Sequence, residues 1–145
     1  MTTVQTPDTL DSPVEGAMHH GVLVCSPDTP LSTVAELMAT ERVHSVVVAD
    51  DPADAESLWG VVSDLDLAAA ATVRPLDQQT AGASAATQAL TVTPAETLRR
   101  AAQLMTEHGT AHLVVVEPDG RRPVGVVSTL DLAAALSALR LEDER

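Results

Sequence analysis

An α/β fold assembled from two copies of one small unit is the architecture this sequence predicts. Three observations predict it: an eleven-residue block that recurs almost unchanged, the same order of apolar patterns around each copy, and β-branched runs too continuous for an open sheet. The block is Gly60-Val61-Val62-Ser63-Asp64-Leu65-Asp66-Leu67-Ala68-Ala69-Ala70, which returns as Gly125-Val126-Val127-Ser128-Thr129-Leu130-Asp131-Leu132-Ala133-Ala134-Ala135, identical at ten of eleven positions. Pro27 and Leu31 return as Pro94 and Leu98, and Leu37-Met38 as Leu104-Met105, each 67 positions on, whereas the blocks lie 65 apart. A two-residue deletion therefore separates the units, most simply where residues 50–57 face residues 117–122.

Each unit reads in one order. A short apolar stretch (residues 22–25; 89–92) runs into a polar turn with proline. An amphipathic helix follows, its buried face being Leu31, Val34, Ala35 and Met38, or Leu98, Ala101, Ala102 and Met105, at the i, i+3, i+4, i+7 spacing of one helical face. Thr29 before Pro30 is an N-cap candidate with proline at the first helical position, and Thr93-x-x-Glu96 spells a capping box slightly earlier. A β-branched run, 45–49 or 112–116, comes next, then turn residues such as Glu117-Pro118-Asp119-Gly120. A second strand (58–62; 123–127) ends at a serine and opens an alanine-rich helix (65–71; 130–139). Strands that are apolar throughout need cover on both faces. Neither unit holds enough core alone, so the two are expected to pack on each other.

Totals narrow the function. The chain has 145 residues, 8 basic and 21 acidic, for a formal charge of −13, and 45 % of it is apolar. A surface this acidic repels phosphate backbones and anionic lipids, which argues against nucleic acid and membrane as partners. Trp59 is the sole aromatic residue, so no site can stack bases on several rings. Cys25 is the only cysteine, which excludes an intramolecular disulfide or a thiolate cluster, and no metal site is expected. There is no apolar run of about 20 residues and no basic-then-apolar leader, so a cytoplasmic location is expected.

The strand-to-helix corner is where chemistry concentrates. A helix N-terminus presents unpaired amides suited to an anion. Gly60 and Gly125 lack a Cβ and allow close approach to the backbone. Ser63 and Ser128 can donate to a phosphate or accept from a hydroxyl, and Asp66 and Asp131 could each accept from two vicinal hydroxyls. The same Ser-x-x-Asp is equally an ordinary helix cap. Its appearance twice, with its glycine and in matching context, favours the binding reading.

That context closely resembles the tandem CBS domain, or Bateman module, over roughly residues 14–139. The resemblance rests on Val14-Glu15-Gly16-Ala17-Met18, Ser26-Pro27-Asp28-Thr29-Pro30-Leu31, Val43-His44-Ser45-Val46-Val47-Val48 and the first corner. In the second half it rests on Thr93-Pro94-Ala95-Glu96-Thr97-Leu98, Ala111-His112-Leu113-Val114-Val115-Val116 and the second corner. It implies two β-α-β-β-α repeats packed through their sheets with pseudo-two-fold symmetry: repeat 1 at residues 14–73, repeat 2 at 81–139, and loose tails at 1–13 and 140–145. It further implies two clefts for an adenosyl compound such as AMP, ADP, ATP or S-adenosylmethionine, held as a regulatory ligand with no catalytic cofactor. Asp66 and Asp131 would hold ribose hydroxyls, Ser63 and Ser128 would lie by ribose or phosphate, and apolar backbone around residues 22–25, ending at Cys25, and 89–92, ending at Val92, would flank adenine. His44 and His112 would face the phosphate. The family's two adjacent basic residues before the middle strand are reduced here to His44-Ser45 and Ala111-His112. One titratable base per cleft inside an acidic molecule favours AMP or S-adenosylmethionine over ATP. The second entry segment, Ala81-Gly82-Ala83-Ser84-Ala85, departs from the acidic-x-Met pattern of its kin and weakens the claim of the second cleft.

Remaining features take plain roles. His19-His20 reads as a solvated loop rather than a metal pair, Met38 and Met105 as core, His108 as a cation at a helix C-terminus, and Cys25 as a small buried apolar residue. The alanine-rich helices invite a homodimer, in the family a flat four-repeat disc. With no nucleophile–base pair and no phosphate loop, an enzyme is not expected. Two readings remain: a sensor signalling to a separate effector protein, and a ligandless dimerisation scaffold.

Overall fold

A computed structural model describes residues 9–85, 89–119 and 122–143. Turns of 3-10 helix at Thr9–Asp11 and Val14–Gly16 lead into β1 (His19–His20), β2 (Val24–Cys25), α1 (Leu31–Glu41), β3 (Ser45–Ala49), β4 (Leu58–Ser63) and α2 (Asp64–Ala71). A 3-10 turn at Leu76–Gln78 and the short α3 (Ala81–Ser84) connect to β5 (Thr91–Val92), α4 (Leu98–His108), β6 (His112–Val116), β7 (Pro123–Ser128) and α5 (Thr129–Asp143). The strands form a three-stranded sheet, β2-β3-β4, and a four-stranded one, β1-β7-β6-β5. Their registers repeat: Val24 faces Val47 and Ser45 faces Ser63 in one sheet, Thr91 faces Val114 and His112 faces Ser128 in the other.

Period-two geometry explains why the middle strands are apolar throughout. Val46 and Val48 point into a core with Leu31, Val34 and Met38 of α1. Leu113 and Val115 do the same with Leu98, Ala101 and Met105 of α4. The residues between them, Val47, Val114 and Val116, are buried together between the sheets and are flanked by Val22, Val24, Leu58, Val61 and Val126. Both faces of each sheet are therefore covered.

The two halves also exchange their leading segments. Val14 and Met18 are buried in the core built on α4, whereas Ala81 and Ala85 are buried in the core built on α1. Backbone bonds repeat the exchange in matching pairs. Val14 N donates to Glu96 O (2.8 Å) and Ala81 N to Thr29 O (2.8 Å); Leu98 N donates to Ser12 O (2.9 Å) and Leu31 N to Gln79 O (2.9 Å). Each half is thus completed by a segment that precedes the other half.

Several boundaries differ from expectation. Residues 9–13 are not a loose tail: Thr9 is buried, Leu10 packs on the α4 core, and Asp11 pairs with Arg99 at 3.4 Å. Helix α5 continues through Asp143, past the expected end at residue 139. Residues 1–8 and 144–145 of the tails and Gly120 of the second turn lie outside the described residues. Pro30, not Thr29, caps α1; its ring supplies no side-chain acceptor, and the Thr29 hydroxyl bonds Ser26 Oγ at 3.1 Å instead. Thr97 caps α4 by accepting from Arg100 N, while Glu96 turns back to the Thr93 amide (2.7 Å). His19-His20 is a strand and not a loop, because β1 adds to the edge of β7.

Candidate functional site

Ser63 and Asp66 open α2 as a complete capping box. Asp66 N donates to Ser63 Oγ (3.1 Å), and Asp66 Oδ2 accepts from Ser63 N (2.8 Å) and Ser63 Oγ (3.0 Å). Asp66 Oδ1 takes no hydrogen bond among the described residues. Capping fixes this carboxylate without using it up, so the cap and the ligand acceptor can be one group.

The corner borders a cavity of about 420 Å³, within the size range of small-molecule sites. Val61, Leu65, Ala89 and Leu90 supply apolar wall, Ser63 and Asp66 stand at one side, and His108, Thr110 and His112 at another. Both imidazoles come from the second half of the chain. Burial pushes the His112 imidazole below its ordinary pKa, against the opposing pull of Asp64, Asp66 and Asp131. Its neutral form is thereby favoured. Asp66 and His112 give this cavity an acceptor end and a base that can take a proton, which suits a ligand carrying vicinal hydroxyls and an anion.

Other sequence candidates lie elsewhere. His44 is exposed and its Nδ1 meets Asp64 Oδ2 at 3.0 Å, a hydrogen bond that holds the Asp64 carboxyl below its usual range. Cys25 is buried in the α1 core, where burial raises its thiol pKa against a lowering bond with Thr29. Val92 is buried in the α4 core, and Gly60 is buried in β4 opposite Val48. Neither Cys25 nor Val92 lines the cavity. At the second corner Ser128 N donates to Asp131 Oδ2 (2.8 Å) and Asp131 N to Ser128 Oγ (3.1 Å), while Gly125 lies against β1. The structure therefore groups Ser63 and Asp66 with His112, across the repeat boundary, rather than with His44.

Of the stretch 89–92 expected to flank adenine, Ala89 and Leu90 line the cavity; sequence reasoning missed Thr110 and the cavity role of His108. It also placed His19 in a solvated loop, whereas His19 Nε2 lies 3.1 Å from Asp131 Oδ1. Among the described residues no group of three or more His, Cys, Asp or Glu could hold a metal, and no helix is long and apolar enough to cross a membrane.

A mixed α/β pair of repeats with a polar cleft at their junction defines the class, and a family model gives it a name. The CBS domain model matches residues 14–72 and 85–138, so the chain belongs to the CBS domain family. Among solved structures, the chain resembles an uncharacterized conserved protein from Pyrococcus horikoshii (22 % identity, TM-score 0.72, covering 87 % of this chain and 92 % of that one). It also resembles the CBS domain pair of protein MJ0100, solved with 5-methylthioadenosine and S-adenosyl-L-methionine (17 %, 0.75, 88 % and 97 %). A third is CBSX2, solved in complex with AMP (25 %, 0.68, 89 % and 98 %). No curated protein matched.

Proposed function

We propose that the chain is a non-catalytic sensor that binds an adenosyl ligand, of the AMP or S-adenosylmethionine class before ATP, and signals to a separate effector protein. The observation that carries this reading is the cavity itself. It sets an uncommitted Asp66 oxygen and the Ser63 hydroxyl across from His112, between apolar walls. The adenosyl ligands with which two similar proteins, the MJ0100 CBS pair and CBSX2, were solved support the choice of ligand class. A cavity whose bases among the described residues are imidazoles, in a chain of charge −13, suits one phosphate better than three. Ser128 and Asp131 of the second corner form the second, weaker cleft of this reading.

A thermal melt against AMP, ADP, ATP, S-adenosylmethionine and NAD tests it. A ligand at about 100 times its Kd adds roughly 2.7 kcal/mol, or about 5–11 °C for a domain of this size. AMP or S-adenosylmethionine is expected to give the largest shift; a larger shift with ATP in magnesium-free buffer would reverse the ordering, and none with any compound would remove the sensor.

Protonation gives a second check. His112 has a lowered pKa in the folded chain, so its contribution to stability is present above the ordinary histidine pKa and is lost as pH falls through the lowered value. A phosphate beside it favours the charged form, so AMP binding should take up a proton and tighten from pH 8 to pH 6, by at most about tenfold per unit. Calorimetry in buffers of differing ionisation heat reads this uptake directly. Affinity independent of pH would place the phosphate away from His112.

The exposed faces of α2 and α5 favour assembly as well. Leu65 and Leu130, at equivalent positions, are 75 % and 67 % exposed, and Leu136 is also exposed. Internal symmetry offers a second copy two matching faces, which supports a homodimer; a clean monomer by light scattering at tens of micromolar would remove it. A ligandless scaffold would dimerise in the same way and show no melt shift.

A further inference from the structure

The internal symmetry makes the two corners comparable atom by atom, and they differ in two places: the serine hydroxyl donates to Asp Oδ2 only at the first corner (3.0 Å), and the second carboxylate oxygen meets different neighbours. In both, the serine amide donates to Asp Oδ2 at 2.8 Å. Oδ1 of Asp66 takes no hydrogen bond among the described residues, whereas Oδ1 of Asp131 lies 3.1 Å from His19 Nε2. That imidazole arrives on β1, which pairs antiparallel with β7 so that His20 faces Gly125. A Cβ at Gly125 would lie 2.3 Å from the His19 carbonyl oxygen, so the missing side chain is what lets the strand close on the corner. Gly21 N donates to Val124 O at 2.8 Å and anchors the segment beyond. The position equivalent to His19, 67 residues on, is Ala86, whose side chain has no polar atom. The asymmetry is therefore written in the sequence.

We propose that His19 is a latch on the second corner, which makes the two clefts unequal and sends a hydroxyl-bearing ligand first to Asp66. This rests on the reading of the two aspartates as hydroxyl acceptors. The imidazole Nε2 lies 3.1 Å from the carboxylate oxygen to which a ligand hydroxyl would donate, so ligand and latch compete for one oxygen. The Asp131 side chain is 10 % exposed and that of His19 80 %, so the latch can swing into solvent without opening the core. An exposed pair of this kind biases an equilibrium by no more than about fivefold. It grades the clefts and does not seal one.

Amide-resolved NMR titration of the full chain with AMP tests this, because Ser63 and Asp66 report one corner and Ser128 and Asp131 the other. The expected result is saturation of the first corner at lower AMP. His19→Ala should tighten the second corner by roughly fivefold and leave the first unchanged. His19→Gln, which keeps an N–H donor, should restore part of the difference. Equal affinities in the unaltered chain, or a ratio that His19→Ala does not change, would overturn the latch while the adenosyl reading stands. No movement at either corner would overturn both.

Discussion

Replacing Asp66 with Ala is expected to remove AMP binding from the first cleft while leaving a folded protein. The carboxylate has two separable roles. As a cap, its Oδ2 accepts from the Ser63 amide and hydroxyl, and losing a cap costs about 1 kcal/mol. As a ligand group it would accept from two ribose hydroxyls, and hydrogen bonds to a charged acceptor are worth roughly 1.5–3 kcal/mol each. The expected loss of affinity at that cleft is therefore at least about a hundredfold, measured by calorimetry, against a fall in Tm of only a few degrees. Asp131→Ala is the matched control. It removes the amide cap of the other corner together with the His19 pair and should cost a similar stability, yet leave the first cleft its ligand. If both variants bind AMP like the unaltered chain, neither aspartate holds the ribose and the corner is a cap alone.

Such a separation could be designed because much of the corner was legible in the sequence. The Ser-x-x-Asp box, the helical stripes of Leu31 to Met38 and Leu98 to Met105, and the doubly buried middle strands all follow from local periodicity. What periodicity does not carry is partnership at long range. His112 was expected to face a phosphate, but nothing in its own repeat shows that it lines the cavity beside Ser63 and Asp66 of the other. His19 was assigned to a loop because nothing in its neighbourhood shows that β1 adds to the edge of β7, more than a hundred residues downstream. The exchange of leading segments was hidden for the same reason. Val14 and Ala81 look like the start of their own repeats, and only the docked structure shows each completing the other's core. Residue 42 is a smaller case: Arg42 caps α1 at φ 54°, where the second repeat uses Gly109 at φ 63°. The left-handed turn was recognisable from the glycine in one copy alone.

The exchange has a thermodynamic consequence, and a substitution in one half should show it in the other. Val114 is fully buried between the sheets, in contact with the cluster that includes Val47 of the first half. Val114→Ala should cost roughly 1.5–3 kcal/mol, and Val114→Asp several kcal/mol more, since a buried carboxyl has no partner there. A total stability of about 5–15 kcal/mol leaves the aspartate variant near or past unfolding. The informative readout is Trp59, which lies on β4 in the first half, bonds Asp50 Oδ2 at 3.0 Å and stands 45 % exposed. If the halves fold as one unit, Trp59 fluorescence and far-UV circular dichroism should share a single urea transition, shifted down by about 1 M in Val114→Ala. Were the halves independent, Trp59 would keep its midpoint and the dichroism would split in two. A single transition is what the paired bonds Val14–Glu96 and Ala81–Thr29 require, because neither core is complete until the other half's leading segment has docked. The same coupling is what a sensor needs: a ligand that bridges Asp66 and His112 spans both halves, and favours whichever arrangement of the two brings those groups together.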